Sequence, residues 1–145
     1  MPRGRSVKID IEPDLPLVQA DFILTKQVLV NLLDNALKYS DQVSEVIISA
    51  HKDVLSLNIT VLDQGPLIPE GDLERIFDKF YRLHFPRQVS GTGLGLAICK
   101  GIVEAHGGKI WASNNSGGGV AISFTLPLET TLDQGASTVE GVLRK

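Results

Sequence analysis

Gly91-Thr92-Gly93-Leu94-Gly95-Leu96, preceded by Arg82-Leu83-His84-Phe85-Pro86-Arg87-Gln88-Val89-Ser90, is the stretch that separates one class of fold from another. Three glycines open a run in which Leu94, Ile98, Ile102 and Ala105 recur at helical spacing. Backbone N–H groups beside a positive helix N-terminus make such a stretch a ready site for phosphate oxygens. A dinucleotide-binding fingerprint needs a strand directly before its glycines, and residues 82–90 do not read as one. A P-loop ends in Gly-Lys-Ser/Thr, whereas Leu96-Ala97 stands here. The glycines therefore cradle phosphate in some other way, or they form a hinge.

Working outward, the chain reads as hairpins and helices rather than as a regular strand–helix–strand series. Val7-Lys8-Ile9-Asp10-Ile11 alternates as a half-buried strand and stops at Glu12-Pro13-Asp14. Asp21 is placed to cap a long helix whose apolar stripe is Leu24, Val28, Leu32 and Ala36. Val43–Ala50 and Val54–Leu62 read as a hairpin turning near Lys52-Asp53. Turn chemistry at residues 64–69 leads to a short helix over Asp72–Phe77, and residues 81–90 read as a mobile segment. Gly107-Gly108 ends the second long helix, and Lys109–Ser113 and Val120–Leu126 form a last hairpin across Asn114–Gly119. The expected fold is an α+β two-layer sandwich, a sheet covered on one face by helices. Residues 1–6 are expected to be a frayed end, 7–129 the domain and 130–145 a loose tail.

The 145 residues suit one domain with its own core. A formal net charge of −3 provides no basic field for nucleic acid or an anionic membrane. No apolar run is long enough to cross a bilayer and no signal peptide opens the chain, so a cytoplasmic setting is expected. The lone Cys99 lies in an apolar stretch and reads as a buried thiol in a reducing compartment.

Four short constellations carry chemistry. On the first long helix Asn31, Asn35 and Lys38 share a face. An amide oxygen at Asn35 suits magnesium, which keeps waters and takes few protein ligands when phosphates supply the rest, and Lys38 suits a phosphate. A plain solvated face is the alternative, although short amides are mediocre helix formers. In Asp63-Gln64-Gly65-Pro66-Leu67-Ile68-Pro69 a carboxylate at a strand end suits the exocyclic amine of adenine. Ile68 would line an apolar slot and Gly65 would admit a flat ring; an ordinary Gly-Pro turn is the alternative. Phe77-Asp78-Lys79-Phe80-Tyr81-Arg82 reads either as a flap carrying Lys79 and Arg82 to a triphosphate or as aromatics anchoring a loop. The glycine stretch, Gly91 to Leu96, is the fourth.

In this order the four resemble the N, G1, F and G2 boxes of the GHKL superfamily of ATP-binding domains. Within it the chain is similar to sensor histidine kinases, and its Phe77–Arg82 segment and long second helix to potassium-responsive sensors of the KdpD kind. The resemblance continues through residues 97–110 and ends near Pro127-Leu128. It implies a Bergerat-type sandwich, a mixed and mostly antiparallel sheet of about five strands with three main helices on one face. It implies ATP and Mg2+ as ligands, with Asn35 on the metal and Asn31 beside the phosphates. Lys38 would meet phosphate and Tyr39 pack on the nucleoside; Asp63, Gly65 and Ile68 would receive adenine. Lys79, Phe80 and Arg82 would approach the phosphates, and Gly91, Thr92, Gly93, Leu94, Gly95 and Leu96 would hold them by backbone amides. Residues 81–90 would form a lid, and Thr125 would close the adenine pocket.

The resemblance has one departure. Leu67 stands where the G1 pattern has a second glycine, which carries a steric cost if that backbone takes a positive φ or lies against the nucleotide. On that reading Leu67→Gly tightens ATP binding. Related hydrolases resemble one another in carrying Glu at the position of Asn31; an amide cannot act as a base for water. Phosphoryl transfer to an acceptor outside this chain is therefore expected, with a non-catalytic nucleotide-binding module or an ATPase as alternatives. His51, His84 and His106 do not lie in the helical setting of a phosphoacceptor. The resemblance implies as partners a dimerisation and phosphoacceptor helical hairpin and, indirectly, a response regulator. It also implies a monomeric fragment of a homodimeric sensor anchored in a membrane.

Overall fold

The computed structural model describes residues 6–15, 18, 20–39, 45–81 and 94–128, with side chains for all of them except Tyr39. Five strands form one sheet: β1 (Ser6–Ile11), β2 (Glu45–Lys52), β3 (Ser56–Leu62), β4 (Ile110–Asn114) and β5 (Val120–Pro127). Their spatial order is β1-β2-β3-β5-β4. β1 runs parallel to β2, and every other neighbouring pair is antiparallel. The single parallel pair exists because the chain crosses from β1 to β2 through α1 (Phe22–Tyr39). The second helix, α2 (Gly95–Ala105), precedes the β4–β5 hairpin. The helix expected over Asp72–Phe77 is instead a pair of 3₁₀ turns, Glu70–Asp72 and Arg75–Phe77, which supply the third helical element. Only the second has buried residues, Ile76 and Phe77, so one turn is pinned and the other rides outside.

The period-2 pattern sorts the sheet into two faces. Val46, Ala50, Leu57, Ile59, Val61, Ile122, Phe124 and Leu126 are buried with Val28, Leu32 and Ala36 of α1 and Cys99 and Val103 of α2. Thr60 and Ser123 are cross-strand partners, and their hydroxyls hydrogen-bond at 2.8 Å. In β1 the alternation is present but the burial is not. Val7, Ile9 and Ile11 pair with Val46, Ile48 and Ala50, yet are 43, 64 and 52% exposed. The helices pack over β2 to β5, and β1 projects past them. The half-buried strand expected there is an exposed edge.

The ends of both helices follow local chemistry. Asp21 caps α1: its Oδ1 accepts from Leu24 N–H at 2.9 Å. At the end of α2, Gly107 N–H donates to the Glu104 carbonyl and Gly108 N–H to that of Val103, both at 3.0 Å. This paired closure requires a left-handed residue, and Gly107 supplies it at φ 82°. His106 joins the two helices. Asp21 N–H donates to its Nε2 at 3.0 Å, which leaves Nδ1 to carry the proton it gives to the Ile102 carbonyl at 2.8 Å. His106 is thus a capping residue.

Phe124, fully buried, lies opposite Ile59 on one side and Ile110 on the other, at the centre of the core. Phe124→Ala is expected to lower unfolding stability by about 3–5 kcal/mol, measured by urea denaturation.

Candidate functional site

α1 presents its polar face along the border of its buried stripe. Asn31, Asn35 and Lys38 are all half-buried there, while Val28, Leu32 and Ala36 are buried beside them. Gln27 Nε2 donates to Asn31 Oδ1 at 2.9 Å, and Lys38 Nζ lies 3.1 Å from Asp34 Oδ2. Such a surface pair is worth only about 0.3–0.5 kcal/mol, so Asp34 holds Lys38 only weakly. Tyr39 ends the helix, and its side chain lies outside the described residues.

Two contacts orient α2 against this face. Cys99 Sγ reaches the Val28 carbonyl at 3.8 Å, and His106 reaches Asp21. The helices are therefore antiparallel, and the same register brings the N-terminal end of α2 at Gly95 and Leu96 level with Asn31 and Leu32. Two boxes some sixty residues apart in sequence are thus brought together, the Asn31 end of the polar face lying beside the positive end of α2. Gly95 has open space around its Cα, and Leu94 holds the N-cap position. Arg82, Gly91, Thr92 and Gly93 lie outside the described residues, as does the expected lid beyond Tyr81.

The packing also sets the chemistry of Cys99. Burial pushes its thiol up to about 11, partly offset by a hydrogen bond with Asn31. Reactive thiol chemistry is thereby disfavoured, and Cys99 acts as a small apolar contact between the helices.

Asp63 follows β3 and is 4% exposed. Its Oδ1 accepts from Gly65 N–H at 2.8 Å and Val120 N–H at 3.2 Å, and its own N–H donates to the Val120 carbonyl at 2.9 Å. Ile68, also buried, is held on both sides by one side chain. Its N–H donates to Asn114 Oδ1 and its carbonyl accepts from Asn114 Nδ2, each at 2.8 Å. Gly119 presses on the same loop at φ 92°, and a Cβ there would fall 1.9 Å from the Asp63 carbonyl oxygen. Asp63, Gly65 and Ile68 thus form one rigid group, as their spacing suggested. Asn114 and Gly119, read in the sequence only as parts of a hairpin turn, are what hold it. The run Gly117-Gly118-Gly119 was the available signal, since the turn alone does not account for three glycines.

Two expectations are corrected. Thr125 does not close the adenine pocket: it pairs with Asn58, at the other end of β5 from Val120 and Asp63, roughly 16 Å along the strand. Its Oγ1 accepts from Lys109 N–H at 3.0 Å. Val120 is the β5 residue beside Asp63. At Leu67 the positive φ is absent; the described non-glycine residues in that region are Asp14 and Phe80. Leu67 is an exposed residue in ordinary backbone geometry, so Leu67→Gly has no strain to relieve.

In the third constellation Phe77 anchors to the core, while Lys79 and Phe80 are exposed. Phe80 takes φ 64°, a costly conformation for an aromatic residue. The Tyr81 ring lies under the Arg75 guanidinium at 5.1 Å, and its hydrogen bond with Asp72 holds the phenol above its usual value. Anchoring and presentation are therefore divided between Phe77 and Lys79-Phe80.

Among the described residues no cluster of three His, Cys, Asp or Glu side chains is placed to hold a metal, and no helix is long and apolar enough to cross a membrane. A lone amide such as Asn35 fits a cation whose other ligands come from phosphates and water.

Residues 20–130 match the family described as histidine kinase-, DNA gyrase B- and HSP90-like ATPases, and the chain belongs to that family. Its relatives identify the kind of member: it is a domain of the sensor histidine kinase type. It is 41% identical over 127 residues to the adaptive-response sensory kinase SasA of Nostoc, covering 87% of this chain and 32% of SasA. It is 43% identical over 124 residues to the sensor protein KdpD of Escherichia coli, covering 86% of this chain and 14% of KdpD. The KdpD likeness thus stands beside an equal likeness to SasA. The solved structure of the mycobacterial sensor histidine kinase MprB superposes with a TM-score of 0.79 at 29% identity, covering 88% of this chain and 86% of that one. The chain spans about a third or less of the length of these sequence relatives.

Two outcomes are expected. Gly119→Ala, which drives a methyl into the Asp63 carbonyl, weakens ATP binding by calorimetry at least about tenfold, while Gly101→Ala, with open space around it, leaves binding unchanged. At pH 8 native Cys99 alkylates at least roughly 100-fold more slowly than in urea, because a thiol held near 11 against an ordinary 9.0 forms that much less thiolate.

Proposed function

We propose that this domain binds ATP with magnesium and transfers the γ-phosphate to a histidine on a helical hairpin outside the chain. In the transfer the γ-phosphorus–oxygen bond breaks to leave ADP, a phosphorus–nitrogen bond forms, and the imidazole gives up its proton. The reading is carried by the α1 face of Asn31, Asn35 and Lys38, with the start of α2 packed beside it at the level of Asn31. That face offers two amides and a cation next to a helix dipole, an arrangement for positioning a triphosphate and neutralising its charge.

Asn31 sets the choice between transfer and hydrolysis. Its side chain is an amide whose oxygen already accepts from Gln27, and an amide does not take a proton from water. Lys38 exchanges Asp34 for a phosphate oxygen, and the amides at the start of α2 take others. Asn35 is the side chain for magnesium, which would supply charge neutralisation at the phosphates. Asp63 takes the adenine amine against the Ile68 wall, while Lys79 and Arg82 serve the phosphates from the segment before α2. Leu67 takes no positive φ, so backbone strain there gives no support to a module without catalysis. The parent protein is then a homodimeric sensor with this domain in the cytoplasm, passing phosphate on to a response regulator.

The test is reconstitution. With radiolabelled ATP and a cognate hairpin domain, acid-labile phosphohistidine is expected, and the domain alone turns over little ATP. Hydrolysis by the isolated domain at a rate unaffected by the hairpin would overturn the kinase reading. In titrations with and without magnesium, Asn35→Ala loses most of the magnesium-dependent part of the affinity; an undiminished magnesium effect removes Asn35 from the metal.

A further inference from the structure

We propose that Asn114 is a positioning residue for base recognition, and that selectivity for adenine depends on the β4–β5 hairpin that holds the loop carrying Asp63 and Ile68. The proposal rests on the reading of Asp63 as the group that receives the adenine amine. A carboxylate distinguishes a 6-amino from a 6-oxo purine only when the ring is held at a fixed height and tilt, and the apolar wall sets both. That wall is Ile68, 6% exposed, and Asn114 holds its backbone N–H and carbonyl together at 2.8 Å each.

The geometry ties the two recognition elements to one rung. Asn114 and Val120 are register partners across the hairpin. Val120 holds Asp63 through its N–H and carbonyl, and Asn114 holds Ile68 through its carboxamide. Residues 63–68 are thus fastened at both ends to the same pair of residues, and a shift of that rung moves wall and carboxylate relative to each other. The turn beyond the rung is itself closed. Asn115 N–H donates to the Gly119 carbonyl and Asn115 Nδ2 to that of Gly118, at 2.9 and 3.1 Å. Asn35, Lys38 and the start of α2 lie on other elements, so the phosphate contacts do not pass through Asn114.

The test compares ATP with inosine triphosphate, which carries a 6-oxo group in place of the amine, by competition against a fluorescent ATP analogue. The wild-type chain is expected to prefer ATP. In Asn114→Ala, ATP affinity falls at least about tenfold while inosine triphosphate affinity changes less than about threefold, so the preference collapses. Asn114→Asp keeps the side-chain shape and the acceptor for Ile68 N–H but loses the donor; it is expected to lose preference as well, and it carries the test if the alanine variant does not fold. A lowered melting temperature with the wild-type preference intact in either variant, or an equal loss for both nucleotides, overturns the role assigned to Asn114. A wild-type chain that binds ATP without preferring it overturns the adenine reading of Asp63 instead.

Discussion

A carboxylate taken out of water is costly unless hydrogen bonds replace its hydration, and Asp63 is such a group. Its Oδ1 is met by two backbone N–H groups, from Gly65 in its own loop and Val120 on a strand far along the chain. Satisfying this one side chain requires β5 to lie beside β3 in a particular register, which the pairing of Leu62 with Ala121 provides. A slip of one residue would turn the inward face of the slipped strand outward, so core and carboxylate demand the same alignment. Gly119 follows from it, because the hairpin can approach this closely only where no Cβ intervenes.

The two helices answer a second need. α1 carries polar and apolar stripes side by side, and α2 seals the apolar one with Cys99 and Val103. The antiparallel packing that buries these residues also brings the start of α2 level with Asn31. Core formation and site assembly are thus one event on this side of the molecule. His106 closes the far end, satisfying a backbone donor at the start of α1 and a carbonyl in α2.

What could be read in advance was local. The Asp21 cap, the α1 stripe from Val28 through Leu32 to Ala36, the Gly107 closure and the turn after β3 all depend on residues within a few positions of one another, and each is found where the chemistry placed it. Leu24, expected to begin the stripe, is 41% exposed. Asp63, Gly65 and Ile68 were legible as a group because their spacing describes one loop. Thr125 was misplaced because a strand offers many equivalent positions, and which of them lies beside a given loop depends on the register with β3. β1 misled for a related reason: alternation states which side chains share a face, not whether a helix covers it. The strain assigned to Leu67 came from a glycine pattern, and backbone dihedrals belong to the folded loop rather than to the residue type.

By itself the sequence determined the elements, their caps and the order of four chemical constellations, because short-range hydrogen bonding and periodicity act over a few residues. Only the tertiary structure decided which distant groups meet: Asn114 with Ile68, Gly119 with the Asp63 carbonyl, and the start of α2 with the polar face of α1. Those meetings are set by strand register and by the packing of one helix on another, and both emerge only when the whole core is buried at once.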